Sequence, residues 1–95
     1  MALTSTETKS LRFMRINEVL HRRGTPKSTF YEQVKKGFMT KPVSLGERSV
    51  GWPEHEVDEI NKALLSGANG EQIQQLVCDL TEQRKSDYYL SKGAI

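Results

Sequence analysis

The hydrophobic period changes twice along this chain, and that change confines the fold more than any other feature. Up to residue 37 and again beyond residue 53, apolar residues recur at three- and four-residue spacing, as on a helix face. Between them, Val43 and Leu45 alternate with polar neighbours, and Val50 and Trp52 do so again beyond residues 46–49. Period two on both sides of a Gly-containing stretch predicts a β-hairpin with a four-residue loop. In that register Val43 opposes Trp52 and Leu45 opposes Val50, so all four share one face. An isolated two-stranded hairpin is marginal in water, so this face must pack on helices. The expected fold class is mainly α with a small β-hairpin.

Upstream, Leu11, Phe13, Met14 and Ile16 form a short apolar approach. Asn17 is placed to cap a first helix of about two turns, with Val19 and Leu20 turned inward and Gly24 ending it in a left-handed conformation. Thr25 is then the expected cap of a second helix, with Pro26 at its first position, where a missing N–H is no loss. That helix should run to Lys36 and stop at Gly37, with Phe30 and Val34 as core. Lys27, Ser28, Tyr31, Glu32 and Lys35 fall on its remaining faces. Two short helices joined across Gly24 make a helix-turn-helix pattern.

Beyond the hairpin, Pro53 starts a third helix. Its acids Glu54, Glu56, Asp58 and Glu59 suit the positive end of the helix dipole, and Val57, Ile60 and Leu64 form its buried stripe. Gly67 stops it. Asn69 and Gln72 resemble a capping box opening a fourth helix, in which Ile73, Leu76, Val77 and Leu80 repeat at helical spacing. The order helix, helix, hairpin, helix, helix is that of a winged helix-turn-helix with two further C-terminal helices. The domain is expected over residues 11–84, after a flexible polar lead over 1–10 and before a tail over 85–95. In that tail Tyr88, Tyr89 and Leu90 either pack back on the domain or serve a partner.

Charge follows the same division. The net charge of +2 hides ten Lys or Arg against four acids in residues 1–52, and four against eight in residues 53–95. A basic first half suits a polyanion, and the acidic half suits something else. No apolar run approaches the roughly 18 residues of a membrane span, and the N-terminus carries no apolar stretch of signal-peptide length. The chain therefore reads as cytoplasmic. The lone Cys78 reads as a buried, inert thiol. His21 and His55 are not spaced as a metal pair, and there is no nucleophile elbow, no P-loop and no clustered carboxylate set. No enzyme, cofactor or metal is expected.

Residues 13–60 resemble the AlpA-type phage and prophage regulators, relatives of excisionases and of the winged helix of MerR-type regulators. Arg15-Ile16-Asn17-Glu18-Val19 is similar to the family's R-[LI]-x-E-V. Gly24, Ser28-Thr29-Phe30-Tyr31 and Gly37 are similar to G-x-S-x-S-T-[IV]-Y and the glycine after the second helix. Pro42, Leu45-Gly46, Arg48, Val50 and Trp52 follow P-x-x-L-G-x-R-x-V-x-W, and Glu56-Val57 completes the string. Pro26 departs from the family's capping Ser, and Met39-Thr40 replaces a Phe-Pro pair; neither change removes a charge.

The resemblance implies a protein of a mobile element that binds specific double-stranded DNA. It would act as a transcriptional regulator, as a recombination directionality factor (excisionase), or as both, with cooperative self-association or an integrase as further partners, and no membrane. In that arrangement the second helix enters the major groove by its N-terminal end. Thr25, Lys27 and Ser28 are then candidates for base edges or nearby phosphates, and Thr29 for a phosphate or a thymine methyl. Tyr31 either holds a phosphate or packs at the helix edge, and Glu32 either accepts from cytosine N4 or is solvated. Lys35 and Lys36 point to the backbone, unless they are ordinary surface lysines, and Lys41 is a phosphate candidate at the base of the wing. Arg48 at the wing tip suits the adjacent minor groove; its alternative is a salt bridge to Glu47 or to the third helix. Arg22 and Arg23 either touch phosphate or serve the helix dipole, and Trp52 is core. The rival class is a protein-interaction module that keeps the winged helix as a scaffold.

Overall fold

The computed structural model describes residues 12–93, with side-chain surroundings through Ser86. The lead over 1–10 and the surroundings of Tyr88, Tyr89 and Leu90 lie outside the described residues. The elements in chain order are β1 (Phe13–Met14), α1 (Ile16–Arg23), α2 (Lys27–Lys35), β2 (Val43–Gly46), β3 (Ser49–Pro53), α3 (Glu54–Leu65) and α4 (Gly70–Gly93). The described residues thus form four helices and a three-stranded antiparallel sheet of order β1-β3-β2.

The third strand is one that local pattern did not reveal. The apolar approach to α1 is extended because Met14 pairs with Trp52 and Phe13 with Pro53, and the Glu54 amide donates to the Arg12 carbonyl at 2.8 Å. This pairing also moves the start of α1. The extended chain turns helical at Arg15, which occupies the cap position with no side-chain cap, and Asn17 falls inside the first turn instead of capping it. Gly24 ends α1 as expected, at φ 64° and ψ 39°, and the Thr25 amide closes back on the Leu20 carbonyl at 3.2 Å. Pro26, with extended ψ of 153°, is itself the cap residue of α2. Thr25 therefore sits one residue too early to cap, and its hydroxyl donates to the Arg23 carbonyl at 3.3 Å.

Next to the turn the hairpin keeps the expected register, but a bulge shifts the pairing beyond it by one residue. Val43 pairs with Gly51, Ser44 with Val50 and Gly46 with Ser49, leaving a bulge at Leu45 and a two-residue turn at Glu47-Arg48. A slip of one residue turns a whole strand over. Val43 consequently shares the side of Gly51 while Trp52 takes the other. A Cβ on Gly51 would stand 2.9 Å from Leu45 Cδ1 and 3.4 Å from Phe13 Cβ, so Leu45 and Phe13 cover this glycine. The four apolar residues do not form one buried face; Trp52 is fully buried, whereas Leu45 and Val50 are partly exposed.

The core gathers Met14, Val19, Phe30, Met39, Trp52, Val57, Ile60 and Leu80. Trp52 is its centre, as expected: its indole N–H donates to the Thr40 carbonyl at 2.8 Å, and Phe30 meets it edge-on at 5.2 Å. Leu64, expected in the stripe of α3, is instead exposed, because the last turn of α3 lies at the rim of a small core. The capping box of α4 forms reciprocally, each arm at 2.8 Å between Asn69 and Gln72. Ile73 and Leu80 face inward. Cys78 is exposed, not buried, since it falls roughly 100° round the helix from Val77.

Candidate nucleic-acid interface

α2 is anchored from one side only. Phe30 is buried, and Val34 packs against the core beside it. Arg23, half-buried at the end of α1, donates to Gln33 Oε1 at 2.8 Å and to Met39 Sδ at 3.2 Å. Its guanidinium also lies 5.8 Å from the centre of the Phe30 ring. Burial pushes the pKa of this group below its ordinary value. Arg23 thus buttresses α1 against α2. Arg22 is likewise engaged within the fold: it bonds Asp58 at 2.9 Å and Glu54 at 3.2 Å, and the hydrogen bond to Asp58 raises its pKa. Arg12 joins the same network through Glu18 and Glu54, with the Glu18 hydrogen bond raising its pKa.

The outer side of α2 carries Lys27, Ser28, Thr29, Glu32, Lys35 and Lys36, all exposed. No side chain caps this helix, so the N–H groups of its first turn point outward with the positive end of the dipole. Tyr31 is 38% exposed and rests on Phe30 at 5.8 Å and Trp52 at 6.2 Å. Its ring therefore belongs to the aromatic cluster while one edge stays accessible. Glu32 and Lys36 form an exposed pair at 3.6 Å, the kind of i,i+4 contact worth about 0.3–0.5 kcal/mol. Thr25 lies in the α1–α2 turn, half-buried, with its hydroxyl directed at Arg23.

The β2–β3 hairpin presents Arg48 at its two-residue turn, next to Glu47 at a positive φ of 40°. Among the described residues Arg48 makes no ion pair, neither with Glu47 nor with α3. Lys41 is exposed at the foot of the hairpin, where its carbonyl accepts from Arg84 at 2.8 Å. Five exposed cations thus lie on α2 (Lys27, Lys35), on the linker that follows it (Lys36, Lys41) and at the hairpin turn (Arg48).

Residues 12–63 match the sequence model of the family described as prophage CP4-57 regulatory protein (AlpA). The chain belongs to this AlpA family. It is a regulatory family, not a family of enzymes. All the candidate residues above, from Thr25 to Arg48, lie inside the matched segment. This AlpA-family chain is also 46% identical over 46 residues to the "Uncharacterized protein ORF88" of Enterobacteria phage P4, covering 48% of this chain and 52% of that one. The chain thus spans about half the length of that relative. No solved structure gives a significant match.

Three structural residues of the AlpA-family chain escaped the sequence. Glu56, grouped there with the acids at the start of α3, is fully buried and receives two bonds from Arg84, at 2.8 Å from Nε and 2.6 Å from Nη2. Its position four before Ile60 in the apolar stripe was a legible signal; Arg84, 28 residues away, gave none. Gln74 on α4 donates to the Lys36 carbonyl at 3.0 Å. Among the described residues no three His, Cys, Asp or Glu side chains are grouped to hold a metal, and no helix is long and apolar enough to cross a membrane.

Proposed function

We propose that this chain is a sequence-specific double-stranded DNA-binding protein of a mobile element, built as a winged helix-turn-helix. α2 enters the major groove by its N-terminal end, and the β2–β3 hairpin serves as the wing, with Arg48 in the adjacent minor groove. Lys27, Ser28 and Thr29 face base edges or the flanking phosphates. Lys35, Lys36 and Lys41 supply salt-dependent backbone affinity, and the accessible edge of Tyr31 reaches a phosphate. Glu32 is tied to Lys36 and contributes to register more than to affinity. Thr25 acts by shaping the turn ahead of α2.

The observation that carries this reading is an α2 with no side-chain cap and an exposed first turn, followed in the chain by a hairpin whose turn presents an exposed Arg48. The family membership supports a regulatory role in the cytoplasm, at the nucleoid. The same protein–DNA complex serves a transcriptional regulator and a recombination directionality factor, since both act by occupying neighbouring sites and bending the duplex. A domain this small contacts few base pairs, so specific action uses several copies, or an integrase, on adjacent sites.

The test is a titration of the full chain against its own promoter and attachment-site DNA, with random duplex as competitor, at 50 and 200 mM salt. Four phosphate contacts, from Lys27, Lys35, Lys36 and Lys41, predict a loss of roughly a hundredfold in affinity between those salts. Cognate DNA should win over random DNA at both. A chain that ignores both duplexes at low salt is an interaction module, and this reading fails.

A further inference from the structure

α4 lies beyond the family-matched segment, yet it grips both ends of the linker that joins α2 to the hairpin. At the α2 end, Gln74 Nε2 donates to the carbonyl of Lys36 at 3.0 Å. At the hairpin end, Arg84 Nη2 donates to the carbonyl of Lys41 at 2.8 Å. The two grips are ten residues apart on one continuous helix, a span of roughly 15 Å. Between them the linker is pinned inward, with Met39 and Thr40 buried and the Thr40 carbonyl held by Trp52.

Arg84 is itself immobilised. Glu56 is fully buried and takes both Nε and Nη2 in a forked pair, which fixes the plane of the guanidinium and aims its second Nη2 bond at Lys41. A lysine has no such fork. It can neutralise Glu56, but its donors radiate from one nitrogen on a flexible stem and fix no plane.

We propose that Arg84, with Gln74, is a positioning residue for DNA binding: α4 acts as a splint that fixes the hairpin tip relative to α2. The inference rests on the DNA-binding reading above. Two elements that must meet one duplex at once gain from being held at the right separation beforehand, because a loose linker must be ordered on binding. Neither Arg84 nor Gln74 touches DNA; they act through Arg48.

The test crosses Arg48→Ala with changes in α4, in the full chain, on cognate duplex by fluorescence anisotropy, below the melting temperature of every variant. In the wild type, Arg48→Ala weakens binding about tenfold. In Arg84→Lys, which keeps the charge beside Glu56 and hence the fold, the same change should cost only about two- to threefold. Gln74→Ala, an exposed change, should shrink the Arg48 effect in the same direction. Lys35→Ala, on α2 itself, should cost the same in every background. A merely structural Arg84 lowers the melting temperature and leaves the Arg48 effect at full size in the folded protein, which overturns the splint alone. A wild type that shows no preference for cognate DNA overturns the DNA-binding reading and the splint together.

Discussion

Consider Gly51→Ala in the central strand. The added methyl would meet Leu45 Cδ1 at 2.9 Å and the Met14 carbonyl oxygen at 3.1 Å. Leu45 is 37% exposed, so its side chain can swing aside at about 0.5–1.5 kcal/mol of rotamer strain. The Met14 oxygen is backbone, held where β1 pairs with β3, and must give by a few tenths of an ångström. Overpacking of this kind costs about 1–3 kcal/mol, against about 0.4–1 kcal/mol gained by restricting the unfolded chain. A net loss of about 1–2 kcal/mol remains, which lowers the Tm of a domain this size by roughly 5–15 °C. Circular-dichroism melts measure it, and the double variant Leu45→Ala/Gly51→Ala separates the two contacts. With the leucine tip gone, the glycine substitution should cost less than it does alone. If Gly51→Ala melts at or above the wild-type temperature, the close approach of β1 and Leu45 to β3 is wrong. If Leu45→Ala gives no relief, the strand backbone alone carries the strain.

Four further outcomes are expected. Trp52→Phe, which deletes the indole bond to the Thr40 carbonyl and leaves a gap beside Phe30, should destabilise by about 2–4 kcal/mol in urea unfolding. Gly24→Ala forces a Cβ into the left-handed region at φ 64° and should cost about 1–2 kcal/mol by the same measurement. Lys35→Ala should weaken cognate and random DNA alike and reduce the salt slope by about one, whereas Arg48→Ala should fall harder on cognate DNA. Cys78 should react with a thiol reagent in the folded protein at nearly the rate of the unfolded chain, because it is exposed.

Helix positions and the hairpin were legible in the sequence because they follow from local period and from Gly and Pro chemistry. Gly24, Gly37 and Gly67 each end a helix at positive φ, and the Asn69–Gln72 box forms as its spacing implies. What escaped was set at long range. β1 is a strand only because β3 offers it an edge, and that pairing displaced the cap of α1 from Asn17. The hairpin turn closes where the alternation implies, with Gly46 opposite Ser49, but a bulge at Leu45, which alternation does not signal, shifts the pairing beyond it by one residue. For the candidate site, the exposure of Lys27, Ser28, Thr29 and Arg48 could be read from their places on helix and turn. The engagement of Arg22 and Arg23 could not, since their partners Asp58, Gln33 and Met39 are brought to them by the fold.

The sorting of charge has a consequence for approach as well as contact. Arg12 and Arg22 are matched locally by Glu18, Glu54 and Asp58, so they contribute little at a distance. Lys27, Lys35, Lys41 and Arg48 are exposed on α2, the linker and the hairpin, while Glu71, Asp79 and Glu82 are exposed along α4. In a molecule of net charge +2, where the exposed charges sit counts for more than their sum. For the DNA-binding function proposed above, it is these exposed cations of α2, the linker and the hairpin that would draw an extended polyanion before contact.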